Sequence, residues 1–537
     1  MPWGQSVSTG LLELRFEGDS TAFTYWVKAS DTIILSKAWI KGSFKSNPDQ
    51  WILANGFQSW SESRYLQAHH RQKPPSVLIR LFARYYGDFH FFSYQKFRNW
   101  QHSWSFTIVP LPGDSAELLA SLNEDVAYTC ILWHHPSGRF LAVRDCAGKR
   151  IGSEPWPLFS IFHARGPHHN LYDRWASLYS LEQAWRPPDT LRGWTSWYYH
   201  YQHISQAIFL SNLKAYCSLP VQIMQLDDGY QKAVGLWTQH NFKFPVGLKA
   251  LADSVHHCGK KAGIWVAPFV VDRRSGIPHH HPEWLVKNDK GRPLRVGYNP
   301  TWKGWYFALD LYQAQVRDYL RGCLDTLLRH WGYDFLKADF LFAAGLVARP
   351  DLNKTRAETM ADALRWLRQV TEGRLLLLCG VPLGPAFKKA DFCRIGNDIH
   401  LRWDMCGLRW LRAPERPSTI LSMLNTVVRS PLSGRFFGND PDVYILRSEH
   451  NHLTPWQRRL LTLVNHTFGM LLLTSDNPDL YEDSVRTHYH QWLGYRGAPV
   501  VAVPAGPDIF RVIPAPSLPL SNTPPLFIEL RKRPRHR

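Results

Sequence analysis

Beyond residue 186, short apolar runs alternate with stretches of helical periodicity. This alternation constrains the fold more than any other feature of the 537-residue chain. The runs that read as strands are 191–197, 221–228, 262–269, 333–341, 374–382, 390–398, 435–440 and 470–476. Several are separated by amphipathic stretches such as 313–329 and 354–371, where apolar residues recur at helical spacing. Strands alternating with helices build a parallel sheet whose faces the helices cover. Eight such units over about 300 residues predict a (β/α)8 TIM barrel, with uneven gaps marking insertions in the loops.

The flanks read differently. Residues 1–185 carry short alternating or apolar runs such as Leu11-Leu12-Glu13-Leu14-Arg15-Phe16 and Phe106-Thr107-Ile108-Val109, broken by Gly, Pro, Asn and Asp. No long amphipathic helix stands out there, and an antiparallel β-sandwich is expected. Arg186-Pro187-Pro188-Asp189 reads as the linker into a barrel spanning 186–480. Residues 481–537 read as a last helix near 483–493 and a small β domain with strands at 500–503 and 526–530. A basic tail, Arg531-Lys532-Arg533-Pro534-Arg535-His536-Arg537, ends it. The expected class is thus a multidomain α/β plus all-β protein.

Charge and composition narrow the function classes. The formal charge is +19, yet the cations are spread along the chain apart from the tail, which reads as a solvated terminus. A nucleic-acid-binding protein would rest on that charge alone, and none is expected as a partner. No apolar run reaches membrane-spanning length, so no membrane association is expected. The start Met1-Pro2-Trp3-Gly4-Gln5 lacks the pattern of a secretory signal. The eight cysteines show no paired C-x-x-C spacing, which argues against a zinc module and fits reduced thiols in a cytoplasmic protein. His279-His280-His281 reads as a loop, because consecutive residues do not readily converge on one ion. The 24 tryptophans suit stacking on sugar rings, and they also serve as core.

In a barrel the C-terminal strand ends line the active site. Strand 1 ends in Trp194-Thr195-Ser196-Trp197-Tyr198 and strand 2 in Asp227-Asp228-Gly229-Tyr230. Strand 3 offers Trp265, strand 4 Lys337 and Asp339, strand 5 Cys379, and strand 6 Arg394 and Asp398. Residues i and i+2 of a strand share a face, so Lys337 and Asp339 point the same way. Taken alone they read first as an internal salt bridge. Taken together, four carboxylates, two cations and several aromatic faces describe a sugar pocket in which two acids cleave a glycosidic bond. Lys337 beside Asp339 is expected to keep that carboxylate ionised, as a nucleophile requires, while Asp398, at a strand end, suits an acid/base group. Asp227-Asp228 alone reads equally as a helix cap or turn, Cys379 as a small core residue, and Trp60 as sandwich core. Asp440 and Asp442 read as loop-structuring groups.

These residues carry a resemblance. From about Asn55 to Leu446 the chain resembles the α-galactosidases of glycoside hydrolase family 36, of the short bacterial and thermophile type. The motifs, in order, are Gly193-Trp194-Thr195-Ser196-Trp197-Tyr198, Leu226-Asp227-Asp228-Gly229-Tyr230, and Gly263-Ile264-Trp265-Val266-Ala267-Pro268-Phe269 with His281-Pro282-Glu283-Trp284. Phe335-Leu336-Lys337-Ala338-Asp339, Arg394-Ile395-Gly396-Asn397-Asp398 and Asn439-Asp440-Pro441-Asp442 complete the series. The resemblance implies Asp339 as nucleophile and Asp398 as acid/base. It implies Asp227 and Asp228 on the 4-OH and 6-OH of a terminal galactose, and Lys337 and Arg394 on other ring hydroxyls. Trp197, Tyr198 and Trp265 would wall the pocket, Cys379 would sit on its floor, and Trp60 would reach over its mouth. The reaction it implies is exo-hydrolysis of galactosylated oligosaccharides by double displacement with retention, with no metal and no organic cofactor. In retaining enzymes the two carboxyl groups lie about 5 to 5.5 Å apart.

Ile399-His400-Leu401-Arg402-Trp403 and Cys379-Gly380-Val381-Pro382-Leu383-Gly384 depart from the family pattern near the leaving-group side. Within the same chemistry, galactosyl transfer, a β-L-arabinopyranoside or an α-N-acetylgalactosaminide remain open as alternatives. A non-catalytic carbohydrate-binding barrel is the rival from another class. Oligomeric state is not legible in the sequence.

Overall fold

The computed structural model describes residues 6–8, 11–45, 47–179, 185–495, 500–514 and 526–530. The N-terminal segment 1–5 and the basic tail 531–537 lie outside the described residues.

The first part holds two antiparallel sheets. One contains Leu12–Gly18, Ala22–Ala29, Trp156–Pro167, Ser115–Ser121 and Phe106–Pro110 in neighbouring order. The other orders Ile33–Ser43, Arg139–Ile151, Tyr128–His134 and Gln101–Trp104. Alternation turns Ala116, Leu118 and Ala120 inward from one strand. Val27 and Phe159 from the first sheet meet Ala142 from the second in one apolar cluster, against which Ile33, Leu35 and Ile40 pack. A helix absent from the sequence reading follows, His168–Leu178. Its buried face, His168, Leu171, Tyr172 and Trp175, follows i, i+3, i+4, i+7 spacing. Trp175 packs on Phe106 behind it and on Phe436 ahead of it, so the helix ties the two halves together.

All eight expected strand runs contain a strand, each shorter than its apolar run. They are β1 Leu191–Thr195, β2 Ile223–Leu226, β3 Lys261–Val266, β4 Phe335–Ala338, β5 Leu375–Leu378 and β6 Phe392–Arg394. After β7 Gly438–Asp440 comes a further short strand, β8 Val443–Tyr444, and then β9 Leu471–Thr474. Every pairing is parallel, in the order β7-β6-β5-β4-β3-β2-β1-β9-β8. Strands covered on both faces need no polar alternation, which is why β5 reads Leu-Leu-Leu-Leu. β7 and β8 are pieces of one stretch, parted by Pro441, which has no N–H to donate, and Asp442, at φ +77°. β7 bonds to β6 and β8 to β9, so the curled sheet brings its two edges together in seven residues of chain.

Capping fixes where the covering helices begin. Arg356–Val370 starts at a reciprocal pair in which Thr355 Oγ1 accepts from the Glu358 N–H and Glu358 from the Thr355 N–H, and Pro455–Phe468 repeats this with Thr454 and Gln457. The 313–329 stretch forms Ala314–Asp325, which relaxes into a wider turn over Thr326–His330. The helix Asp483–Gly494 leads to a three-stranded antiparallel sheet, Val500–Gly506, Ile509–Pro514 and Leu526–Glu529, whose middle strand the sequence reading lacked.

The reduced-thiol expectation needs correction. Cys217, at the end of helix Gln206–Tyr216, and Cys258, at the end of helix Leu248–His257, form a disulfide. Two neighbouring helices that end side by side bring together thiols 41 residues apart in sequence, which no local spacing reveals. The other six cysteines are free.

Candidate active site

The polar strand ends meet in one cavity of about 630 Å³. Trp197 and Tyr198 reach it from beyond β1, Asp227 and Asp228 from beyond β2, Trp265 from β3, Lys337 and Asp339 from β4, and Asp398 from beyond β6. Trp60 reaches it from the first part of the chain.

Trp60 is held there by backbone pairing. The Ser59 N–H donates to the Val381 carbonyl at 2.9 Å, and the Val381 N–H donates to Ser59 Oγ at 3.2 Å. Gly380, at φ +55°, lets the indole in: a Cβ at that position would stand 2.7 Å from Trp60 Cη2. The buried Trp60 Nε1 has no partner among the described residues. Arg429 clamps the same loop from behind. It donates to Asn55 Oδ1 and to the carbonyls of Gly56, Gln58, Ser59 and Ile395, at 2.6 to 3.1 Å.

On the floor, Lys337 Nζ bonds Asp227 Oδ2 at 2.8 Å, and Gln225 Nε2 donates to the same oxygen at 3.0 Å. Burial works against the Lys337 ammonium, but the Asp227 carboxylate outweighs it and holds the ammonium well above the usual lysine range. Asp228 accepts from Gln231 Nε2 at 2.6 Å and from Trp302 Nε1 at 2.9 Å, while burial pushes its carboxyl up.

Asp339 accepts from Trp265 Nε1 at 3.0 Å and from the Phe340 N–H at 2.8 Å. Burial pushes its carboxyl up to about 6, with Lys337 pulling down and the Asp398 charge pushing up. Lys337 therefore lowers Asp339 as expected, but desolvation wins, because the ammonium bonds Asp227 rather than Asp339.

The surroundings of Asp398 rest on Arg394, which spreads one guanidinium over three carboxylates. Nη1 bonds Asp398 Oδ1 and Nε bonds Asp440 Oδ2, each at 2.8 Å, and Nη2 lies 2.9 Å from Asp442 Oδ1. A planar fork suits this, since its donors leave at fixed angles. Asp442 also accepts from the Tyr198 hydroxyl and, at 2.8 Å, from the Ile399 N–H, one residue beyond Asp398. Burial pushes the Asp442 carboxyl up against the pull of Arg394. The Asp398 side chain is 39% exposed, against 2% for Arg394. Asp398 thus faces the open side of the cavity.

Two expected site residues are placed otherwise. Arg394 and Cys379 are buried and are not among the side chains lining the cavity. Arg394 is engaged by the carboxylates behind Asp398 rather than free for ring hydroxyls, and Cys379 lies in the layer beneath the floor. Asp440 and Asp442 are loop-structuring groups, and what they structure is the backing of Asp398. His279 and His280 end the short helix Ile277–His280, and His281 stacks on Trp284 at 4.2 Å. Sequence reasoning missed Trp302, Phe340, Tyr86, Tyr201 and Glu415 in the lining. Phe340 stands at φ +54° and packs on Trp302 and Trp60, a placement no spacing announces. Burial pushes the Tyr86 hydroxyl up to about 12 and the Glu415 carboxyl up to about 8. Glu415 accepts from Ser61 Oγ at 2.9 Å.

A sequence profile of the melibiase family matches residues 164–366. Among curated proteins, α-galactosidase 2 of Pediococcus pentosaceus is 33% identical over 128 residues, 22% of this chain and 17% of that protein. The α-galactosidase Mel36A of Lactobacillus acidophilus is 27% identical over 161 residues, 28% and 20% of the two chains. The matched segment thus spans about a fifth of those relatives' length. Among solved structures, an α-galactosidase of Thermus thermophilus in complex with p-nitrophenyl α-D-galactopyranoside superposes with a TM-score of 0.74 at 27% identity. It covers 95% of this chain and 98% of that one. The same enzyme in complex with stachyose superposes with a TM-score of 0.73 at 26% identity, covering 92% of this chain and 100% of that one. The motifs found in order along the chain, the profile match over 164–366 and these structural likenesses agree: residues 164–366 carry a melibiase-family segment, and the chain as a whole is similar in fold to the α-galactosidases of glycoside hydrolase family 36.

Proposed function

We propose that the protein is a retaining, exo-acting α-galactosidase that removes terminal α-D-galactosyl residues from oligosaccharides. The observation that carries this reading is that Asp339 and Asp398, 59 positions apart in sequence, line one cavity and feel each other's charge. In the first step an Asp339 oxygen attacks the anomeric carbon, the glycosidic bond breaks, and the Asp398 proton goes to the leaving oxygen. In the second, Asp398 takes a proton from water, water oxygen bonds the anomeric carbon, and Asp339 is released. Trp265 and the Phe340 N–H hold the Asp339 carboxylate in one orientation, so its attack needs no reorganisation. Asp227 and Asp228 are fixed by Lys337, Gln231 and Trp302 as acceptors for the 4-OH and 6-OH of galactose, with Trp60, Trp197, Tyr198 and Trp265 as walls. Arg394 acts on Asp398 rather than on sugar. No metal or organic cofactor enters these steps.

For the architecture, we read the curled sheet as a (β/α)8 barrel over 186–480, beside a β-sandwich over 1–185 and a small β domain over 481–537. The stachyose and aryl galactoside held by the Thermus thermophilus enzyme support an α-galactoside substrate. The test is hydrolysis of a chromogenic α-galactoside. Asp339→Ala should lose at least about 10³-fold in kcat, and azide should restore turnover with inverted product. Unchanged activity would end the assignment.

A further inference from the structure

Two short helices stand side by side at the cavity mouth. Val77–Phe82 and Cys406–Trp410 are joined by a hydrogen bond from the Ser76 N–H to the Leu411 carbonyl at 3.1 Å. Both supply side chains to the cavity wall, Ile79 and Phe82 from the first and Leu408 from the second. Their outer faces are apolar and open to solvent. Val77 is 62% exposed, Leu78 53%, Leu81 62%, Phe82 50% and Trp410 90%. A cluster of large apolar side chains concentrated on one rim marks a contact surface.

The charges around it have one sign. From Arg71 to Gly87 the chain carries Arg71, Lys73, Arg80 and Arg84 and no carboxylate. The neighbouring segment 402–416 adds Arg402, Arg409 and Arg412, and both its acids are engaged away from the rim, Asp404 held on both oxygens by Arg416 and Glu415 in the cavity lining. Arg80, Arg84, Arg409 and Arg412 form no ion pair among the described residues. Leucine, phenylalanine and tryptophan interleaved with arginine is the composition of a segment that lies in the headgroup layer of an anionic bilayer. A second copy of the chain would set this cationic rim against its own like charge. Nucleic acid would match the arginines but leave the exposed leucines without a partner, since its interfaces are polar.

We propose that this rim docks on an anionic lipid surface and turns the cavity mouth toward α-galactosides anchored there. This amends the expectation of no membrane association: the contact is peripheral and needs no spanning helix, and no helix among the described residues is long and apolar enough to cross a membrane. The docking stands on the rim alone. Only the identity of the anchored glycoside rests on the α-galactosidase reading.

The test is cosedimentation of the full chain with phosphatidylcholine vesicles containing either no phosphatidylglycerol or about 30 mol% of it. Wild type is compared with Leu78→Ser/Leu81→Ser/Trp410→Ser and with Arg80→Glu/Arg409→Glu, none of which lines the cavity. Wild type should bind only the anionic vesicles and release as salt rises. Each variant should bind at least about tenfold more weakly while cleaving a soluble aryl α-galactoside within about twofold of wild type. Binding that is absent, indifferent to anionic lipid, or equal in wild type and variants overturns the proposal. So does a dimer in solution that the same substitutions dissolve, or retention on duplex DNA that vesicles do not compete. Vesicle binding without galactosidase activity would keep the docking surface and remove the enzyme reading.

Discussion

At the scale of single residues, the proposed nucleophile Asp339 bears on both rate and stability. The free enzyme must hold it ionised to attack, and burial places its titration at about 6. The acid limb of kcat/KM is therefore expected near pH 6 rather than near the value of an ordinary aspartate. Trp265→Phe, which removes a donor that favours the carboxylate, should move that limb upward. The sign for stability is opposite. Below pH 4 Asp339 is neutral in folded and unfolded chains alike. Between about 4 and 6 the unfolded chain ionises more readily, so the folded state loses ground as pH rises. Asp339→Asn should then be more stable than wild type at pH 7.5, by at most about 3 kcal/mol, and the gain should vanish at pH 4 in urea titrations. Arg394→Lys replaces a three-way fork with a point charge. It should lower kcat by about 10²-fold or more with little change in KM, because Arg394 acts through Asp398.

At the scale of elements, what was legible followed periodicity, and what was hidden depended on partners. The apolar runs showed eight of the nine strands of the parallel sheet, because strands buried on both faces need no polar alternation, and missed only the two-residue Val443–Tyr444. Of the eleven residues named for the site, ten at strand ends and Trp60 through the family resemblance, nine line the cavity. Arg394 and Cys379 escaped because a strand's alternation says which face a side chain takes, not whether a carboxylate stands in front of it. Trp302, Phe340 and Glu415 lie on loops, where no period operates. The helix His168–Leu178 was legible in its spacing but overlooked inside a β-rich stretch. The disulfide was hidden because helix ends meet only in space. Thiol titration of the denatured, unreduced protein should find six groups, and eight after reduction. By loop entropy, closing 41 residues contributes about 4 kcal/mol, so reduction or Cys217→Ser should lower Tm measurably in a calorimeter.

At the scale of the whole molecule, a small hairpin apart from the two large sheets, Ile52–Ala54 paired with Arg64–Leu66, completes the site through its connecting loop. Trp60 is delivered by the loop that Arg429 grips through four uncharged oxygens, with the Ile395 carbonyl as a fifth, a grip that leaves a buried charge uncompensated if the acceptors move. Arg429→Met should cost about 3 kcal/mol or more of stability in chemical denaturation, and raise KM by releasing Trp60. Gly380→Ala should raise KM with far less loss of stability, since it disturbs the indole and not the clamp. Comparing the two separates the cost of joining the halves from the cost of misplacing one ring.

The stretch from Gly438 to Tyr444 has a bearing on synthesis. Asp440 and Asp442 grip the arginine behind Asp398, and the strand just past them bonds to Leu471–Thr474. A nascent chain still lacking residues 471–474 holds that turn from one side only, through β6 and Arg394. On the ribosome the far side of the seam would stay open until residues 471–474 emerge, and turnover during refolding should appear only with the phase that pairs β8 with β9.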